Sequence, residues 1–117
     1  MPPRVLIADD SAVARHAVAK RVRASGVEVV EEESAEGAKR ADTSQIACAL
    51  LDLELGDGDG TEVAIALRAR HDTLPIAFFS ATSSEDLLAR AIELGPVFTK
   101  PTELAVAVEW VRKKAQK

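Results

Sequence analysis

The sequence predicts an α/β domain in which a doubly wound, five-stranded parallel sheet is covered by helices on both faces. Short, continuous apolar runs recur along the chain, and segments with helical periodicity lie between them. A continuous apolar run is typical of a strand that is buried on both faces. Strict alternation of such strands with helices requires a parallel sheet. The chain of 117 residues suits one domain, so we assign residues 1–117 to a single unit.

The first half of the chain contains three of the predicted strands, at residues 5–8, 27–30 and 46–53. The first helix follows the first strand, with Ser11 as its N-cap and Gly26 at its end. Its apolar stripe recurs every four residues and consists of Ala14, Val18 and Val22. A short, alanine-rich helix is predicted at residues 34–41.

The second half begins with a glycine- and aspartate-rich loop at residues 56–60, which leads into a helix at 61–69. Two more strands are predicted at 76–79 and 97–99, separated by a helix that Ser83 caps and Gly95 ends. The last helix follows Pro101, and its apolar stripe consists of Leu104, Val108 and Val111.

Composition and charge exclude several classes of function. The chain is 47% hydrophobic and 29% charged, which is typical of a soluble globular protein. The net charge of −4 argues against nonspecific binding to nucleic acid, which needs a basic face. The lone Cys48 lies in an apolar run, where a buried, unreactive thiol is expected. The chain has no signal-peptide pattern and no apolar stretch near 18 residues, so we expect a cytoplasmic protein that does not contact a membrane.

Polar side chains interrupt the apolar runs where the predicted strands end. They are Asp9 and Asp10 after the first strand, Asp52 near the end of the third, Ser80 after the fourth and Lys100 after the fifth. The carboxyl ends of parallel strands share one edge of a sheet, and open sheets of this kind bind ligands there. We therefore expect these five side chains to converge.

Converging carboxylates repel one another, and a divalent cation offsets this repulsion. Oxygen ligands without a nearby histidine or cysteine favour a hard ion such as Mg²⁺. A carboxylate can also attack phosphorus and form an acyl phosphate, while a metal and the Lys100 ammonium stabilise the transferring group. The Ser80 hydroxyl could donate a hydrogen bond to that group after transfer.

Four motifs resemble the receiver domain of bacterial two-component response regulators, most closely the single-domain, chemotaxis type. They are VLIADDS at 5–11, LLDLELGDGDG at 50–60, FFSA at 78–81 and TKP at 99–101. The resemblance covers essentially the whole chain. It implies a flavodoxin-like, three-layer sandwich with strand order 2-1-3-4-5.

The resemblance also implies roles for individual residues. Asp52 would accept the phosphoryl group from a histidine kinase or a phosphotransfer protein. Asp10 and Asp52 would bind Mg²⁺ directly, Asp9 would act beside them or through water, and the backbone carbonyl of Glu54 would complete the protein ligands. Such a module is not an enzyme in the ordinary sense, although it assists its own phosphorylation and dephosphorylation.

At the fourth and fifth strands, the resemblance implies that Ser80 and Lys100 contact the phosphoryl group and that the small Ala81 gives it room. It implies a cis Lys100–Pro101 bond. Output would pass through the face formed by the fourth helix, the fifth strand and the fifth helix to a protein target. We expect a monomer or weak dimer and no contact with nucleic acid.

Two positions depart from the family pattern. Gly56 stands where proline is usual, and Val97 stands where an aromatic residue usually couples the site to the output face. Phe98 is one residue late and is expected on the opposite face of the sheet. Val97 therefore keeps open a degenerate receiver that docks to partners without phosphorylation. A hydrolase with Glu54 as general acid is a third alternative, although the short chain leaves no evident substrate pocket.

Trp110 keeps two interpretations open. Together with Val106 it lies on a different face of the last helix from the apolar stripe. It could be partly buried against the edge of the sheet, or it could contact a partner, because tryptophan is enriched at binding hot spots.

Overall fold

A five-stranded parallel sheet forms the centre of the computed structural model, which describes residues 2–116. The strands are β1 (Arg4–Ala8), β2 (Glu28–Glu32), β3 (Cys48–Leu51), β4 (Ile76–Ser80) and β5 (Val97–Thr99). The helices are α1 (Ala12–Arg23), α2 (Ala35–Lys39), α3 (Gly60–Arg70), α4 (Glu85–Ile92) and α5 (Leu104–Ala115), with a 3-10 turn at Thr43–Gln45. The predicted fold class is confirmed. Met1 and Lys117, the ends of the predicted domain, lie outside the described residues.

The strand order is β2-β1-β3-β4-β5, as the resemblance implied. Every residue of β3 and β4 is buried, which agrees with their continuous apolar sequences. The second strand differs from its prediction, because it extends through Glu31 and Glu32 rather than ending at Val30. As an edge strand it is only partly covered, so acidic side chains can continue it into solvent.

Side chains that alternate along each strand supply two separate apolar cores, one on each face of the sheet. Leu6 and Leu51 face the core under α2, α3 and α4, whereas Val5 and Leu50 face the core under α1 and α5. Cys48 belongs to the second core, and burial raises the pKa of its thiol to about 12. The thiol is therefore protonated and unreactive, as predicted.

Capping side chains set where the helices begin. The predicted cap of α1 is confirmed, because the Ser11 hydroxyl accepts a hydrogen bond from the backbone N–H of Ala14. The predicted cap of α4 was wrong by one residue. Ser84, not Ser83, accepts the hydrogen bond from the Leu87 N–H, because Ser84 has the extended backbone that precedes the first turn.

Candidate functional site

The predicted polar residues converge at the carboxyl edge of the sheet. One carboxylate oxygen from each of Asp9, Asp10 and Asp52 lies within 4.8 Å of the others. Asp9 and Asp52 are buried, whereas Asp10 is exposed at the mouth of the site. All of these donors are oxygens, which fits a hard divalent cation such as Mg²⁺. The three aspartates named from the sequence are therefore in a position to hold such an ion.

Lys100 provides the positive charge beside these carboxylates. Its Nζ lies 2.6 Å from Oδ2 of Asp9 and 3.0 Å from Oδ2 of Asp52. The lysine side chain is 15% exposed, and the two carboxylates are 5% and 8% exposed. Burial acts to lower the pKa of Lys100, but its hydrogen bonds to Asp9 and Asp52 outweigh burial and raise it. The lysine is therefore charged at every physiological pH.

Asp9 is fixed through both its backbone and its side chain. Its Oδ1 accepts from the backbone N–H of Ser11 at 2.9 Å, and its backbone carbonyl accepts from Nη1 of Arg15 at 2.8 Å. Burial raises the pKa of Asp9, and the hydrogen bond from Lys100 only partly offsets this effect. Nothing in the sequence predicts the contact from Arg15.

The buried Arg15 is paired with Glu31, the second-last residue of β2. Nε of Arg15 donates to Oε1 of Glu31 at 3.1 Å, and Nη1 of Arg23 donates to Oε2 at 3.0 Å. His16 is mostly exposed, and its Nε2 also lies 3.4 Å from Glu31. This cluster joins α1 and β2 directly behind Asp9.

Asp52 directly follows β3, and its backbone N–H donates to the Ala8 carbonyl at 2.8 Å. Its Oδ1 accepts from the backbone N–H of Glu54 at 3.2 Å. The first residue of α3, Gly60, packs so closely on this turn that a Cβ atom there would overlap the Asp52 carbonyl. The close packing holds the start of α3 against the backbone of Asp52.

The loop predicted at residues 56–60 is turn structure as far as Asp59, and Gly60 is already the first residue of α3. Gly56 has a φ of +79°, which a proline ring cannot adopt. Asp59 caps α3 together with Glu62, which forms a reciprocal capping box. Asp57 accepts hydrogen bonds from the backbone N–H groups of Ala35 and Glu36, a contact that the sequence did not reveal.

Ser80 is the last residue of β4, and it is buried with only 4% of its surface exposed. Its Oγ accepts a hydrogen bond from the Thr82 N–H at 3.3 Å, and the following Ala81 is exposed. The Lys100–Pro101 bond is cis, as expected.

Val97 and Phe98 lie on opposite faces of β5, as predicted. Val97 packs against the core under α4, and Phe98 packs against the core under α5. Phe98 also lines an open groove with Val106 and Trp110 of α5. Trp110 is half-buried against the second core, which agrees with the interpretation of partial burial. Val106 is 51% exposed, and contact with a partner stays a prediction.

Comparison with protein families gives a match over most of the chain. The model of the response regulator receiver domain matches residues 5–112. The chain belongs to the response regulator receiver family. Receivers of this family are phosphorylation-based signalling modules of two-component systems rather than enzymes in the ordinary sense.

Individual relatives agree with the family assignment. The transcriptional regulatory protein PrrA of Mycobacterium tuberculosis is 33% identical over 113 residues, which are 94% of this chain and 48% of PrrA. The acid tolerance regulatory protein ActR of Sinorhizobium medicae is 31% identical over 102 residues, which are 85% of this chain and 53% of ActR. This receiver thus spans about half the length of the curated relatives it matches.

A solved structure supports the same fold. The signal receiver domain of NarL from Mycobacterium tuberculosis superposes with a TM-score of 0.82 at 26% identity, over 98% of this chain and 97% of that chain. Within residues 2–116 of this receiver, no helix has the length and apolar character needed to cross a membrane.

Proposed function

We propose that this receiver accepts a phosphoryl group on Asp52 from a histidine kinase or phosphotransfer protein and signals through the face formed by α4, β5 and α5. The observation that carries the proposal is the buried Asp52 carboxylate in contact with Lys100, beside two further aspartates. Asp10, Asp52 and the backbone carbonyl of Glu54 would bind Mg²⁺, with Asp9 beside them. When bound, Mg²⁺ supplies positive charge to the phosphoryl oxygens.

The chain's own residues have distinct parts in the transfer. A carboxylate oxygen of Asp52 forms the new P–O bond as the P–N bond to the donor's phosphohistidine breaks, which gives an acyl phosphate. Lys100 already lies 3.0 Å from Asp52, so its ammonium can stabilise the negative charge on the phosphoryl oxygens. Ser80 stands at the end of the neighbouring strand, where its hydroxyl can donate to one of those oxygens. Hydrolysis of the acyl phosphate by water would reset the module.

A series of side-chain hydroxyls supports α4 as the first element to respond. The Ser80 hydroxyl accepts from the Thr82 N–H at 3.3 Å, and the Thr82 hydroxyl accepts from the Ser84 N–H at 3.1 Å. The Ser84 hydroxyl then caps α4 by accepting from the Leu87 N–H at 3.2 Å. A rotation of Ser80 toward a phosphoryl oxygen would remove the first acceptor in this hydroxyl series.

We further propose that the output partner is a protein. The groove beside Phe98 and Trp110 exposes apolar and aromatic surface on the α4-β5-α5 face, and such surface is common in protein–protein contacts. The chain's overall net charge of −4 disfavours nonspecific binding to nucleic acid. A monomer or weak dimer in the cytoplasm fits this role.

The decisive experiment is incubation with Mg²⁺ and acetyl phosphate, followed by intact-mass measurement. The wild type is expected to gain one phosphoryl group, and Asp52→Asn is expected to gain none. Asp72→Asn is the matched control, because it removes an exposed carboxylate at the opposite edge of the sheet. Equal gain in the wild type and in Asp52→Asn, or no gain in the wild type, would refute the proposal.

The output face needs a separate measurement. Backbone NMR spectra before and after phosphorylation are expected to show shifts in α4 and β5 as well as around Asp52. Shifts confined to the site would instead support a receiver that docks to its partners without phosphorylation.

A further inference from the structure

Asp57 joins the loop after the phosphoacceptor to a helix that lies elsewhere in the sequence. Its Oδ1 accepts from the Ala35 N–H at 2.7 Å, and its Oδ2 accepts from the Glu36 N–H at 3.1 Å. These two donors open α2, and the aspartate is 22 residues away from Ala35 along the chain. An exposed carboxylate thus holds two elements together through both of its oxygens.

The rest of the loop shows why such a link matters. Gly56 has a positive φ, so no ring restrains the backbone where the family usually has proline. The loop is closed by hydrogen bonds from Leu55 N–H to the Gly58 carbonyl at 3.1 Å and from Asp57 N–H to the Leu55 carbonyl at 2.8 Å. Both of these bonds lie within the loop itself. The Asp57 carboxylate is what ties the loop tip to α2.

The same loop contains a residue of the proposed metal site. Glu54 donates its N–H to Asp52 at 3.2 Å and forms an isolated antiparallel bridge with Asp59. Glu54 and Asp59 are therefore the two sides of the loop, and Asp57 lies at its tip. A loop tip that moves away from α2 would let both sides move with it.

We propose that Asp57 is a positioning residue, which holds the loop at residues 54–59 in the conformation that presents Glu54 to the metal. This inference rests on the proposed function, because it concerns the same metal site. Apparent affinity falls in proportion to the fraction of molecules in the competent conformation. Partners that orient metal ligands from outside typically change metal affinity by about 10- to 100-fold.

The test is titration of the metal-free protein with Mg²⁺, followed by backbone NMR, in the absence of any phosphodonor. Asp57→Ala is expected to raise the Kd for Mg²⁺ about tenfold, at the low end of the range for orienting partners. Asp57→Asn keeps one acceptor oxygen, so its Kd is expected to lie between those of the wild type and the alanine variant. The amides of residues 54–59 should also exchange with solvent faster in Asp57→Ala than in the wild type.

Two control variants separate positioning from general destabilisation. Asp42→Ala removes a similar cap at the opposite edge of the sheet, where Asp42 accepts from the Ser44 N–H at 3.0 Å. Arg70→Met loosens the other end of α2, because Arg70 donates to the carbonyls of Lys39 and Ala41 at 2.8 Å each. Both controls are expected to bind Mg²⁺ as the wild type does.

The outcomes can be told apart. An unchanged Kd in Asp57→Ala overturns the positioning role while the wild-type metal site stands. An equal loss of Mg²⁺ affinity in Arg70→Met also overturns the positioning role, because any loosening of α2 would then be enough to weaken Mg²⁺ binding. If the wild type itself shows no saturable binding of Mg²⁺, the proposed metal site fails and the positioning role fails with it.

Discussion

Replacing Lys100 with methionine tests the charge balance of the site most directly. The substitution keeps an apolar stem of similar length but removes the ammonium that lies 2.6 Å from Asp9 and 3.0 Å from Asp52. Removing one partner of a buried ion pair typically costs about 3–5 kcal/mol, because it leaves buried charge uncompensated. Burial already raises the pKa of Asp9, so this carboxyl can take up a proton and relieve part of the loss.

We therefore expect the low end of that range. In EDTA at neutral pH, Lys100→Met should lower the free energy of unfolding by about 3 kcal/mol. For a domain of this size, that corresponds to a fall in Tm of roughly 10 °C or more. Urea and thermal unfolding, followed by circular dichroism, measure both values. Lys20→Met is the matched control, because Lys20 is an exposed lysine of α1, and its effect should stay within about 0.5 kcal/mol.

Magnesium should reverse much of the loss in Lys100→Met. An ion that binds only the folded state stabilises it by about 2.7 kcal/mol at 100 times its Kd. Added Mg²⁺ should raise the free energy of unfolding more in the variant than in the wild type, because no lysine ammonium offsets the charge of the three carboxylates in the variant. If the variant is as stable as the wild type in EDTA, or if Mg²⁺ stabilises the wild type more, then Lys100 is not the charge that balances Asp9 and Asp52.

Three further predictions concern Glu31 and Gly60 beside the site and Cys48 in the core under α1 and α5. Burial acts to raise the pKa of Glu31, but hydrogen bonds from Arg23 and Arg15 outweigh it and hold the pKa below its ordinary value of 4.5. Glu31→Gln should thus lower the free energy of unfolding by about 2 kcal/mol at pH 7. The difference in free energy of unfolding between the wild type and Glu31→Gln should shrink as pH falls below 4.5, because Glu31 is then protonated first in the unfolded and then in the folded wild type. A difference that stays constant in urea titrations down to pH 3 would contradict this. Gly60→Ala should lower the free energy of unfolding by about 1–3 kcal/mol in the same assay, because the new Cβ overlaps a backbone carbonyl that cannot move easily. A decrease below about 0.5 kcal/mol would contradict this prediction. Cys48 should react with a thiol reagent at pH 8 only as fast as the protein unfolds, because its side chain is fully buried. Burial also raises its pKa to about 12, and labelling at the rate of a free thiol would contradict the prediction.

The sequence predicted the convergence at the sheet edge because one topological rule determines it. Asp9 and Asp52 each follow a buried apolar run, and Lys100 follows the short, partly buried β5. Parallel strands bring the residues after their carboxyl ends together. The contact of Asp57 with α2 escaped prediction because it joins exposed residues that share no sequence period. The cap of α4 was misplaced because Ser83 and Ser84 are both capping residues, and only the backbone conformation decides between them.

Val97 raised the question of how far a signal travels from the site, and the hydroxyl series offers a route that needs no aromatic ring. Each of its three hydrogen bonds contributes roughly 0.5–1.5 kcal/mol. Loss of the first bond alone can therefore shift an equilibrium between two positions of α4 by up to about tenfold, since 1.4 kcal/mol is a factor of ten. Ser80 starts the series and would exchange its bond with Thr82 for one with the phosphoryl group.

The route through the hydroxyls predicts a specific loss in Thr82→Val. The variant keeps the volume of the side chain but removes the hydroxyl that accepts from the Ser84 N–H at 3.1 Å. Phosphorylation of Asp52 by acetyl phosphate should proceed as in the wild type, whereas the NMR shifts that it induces in α4 should shrink at least twofold. Val97→Ala, which removes apolar contact with the core but no hydroxyl, should leave those shifts in place. If Val97→Ala abolishes the shifts and Thr82→Val does not, the signal crosses β5 through packing, as it would with an aromatic residue at that position.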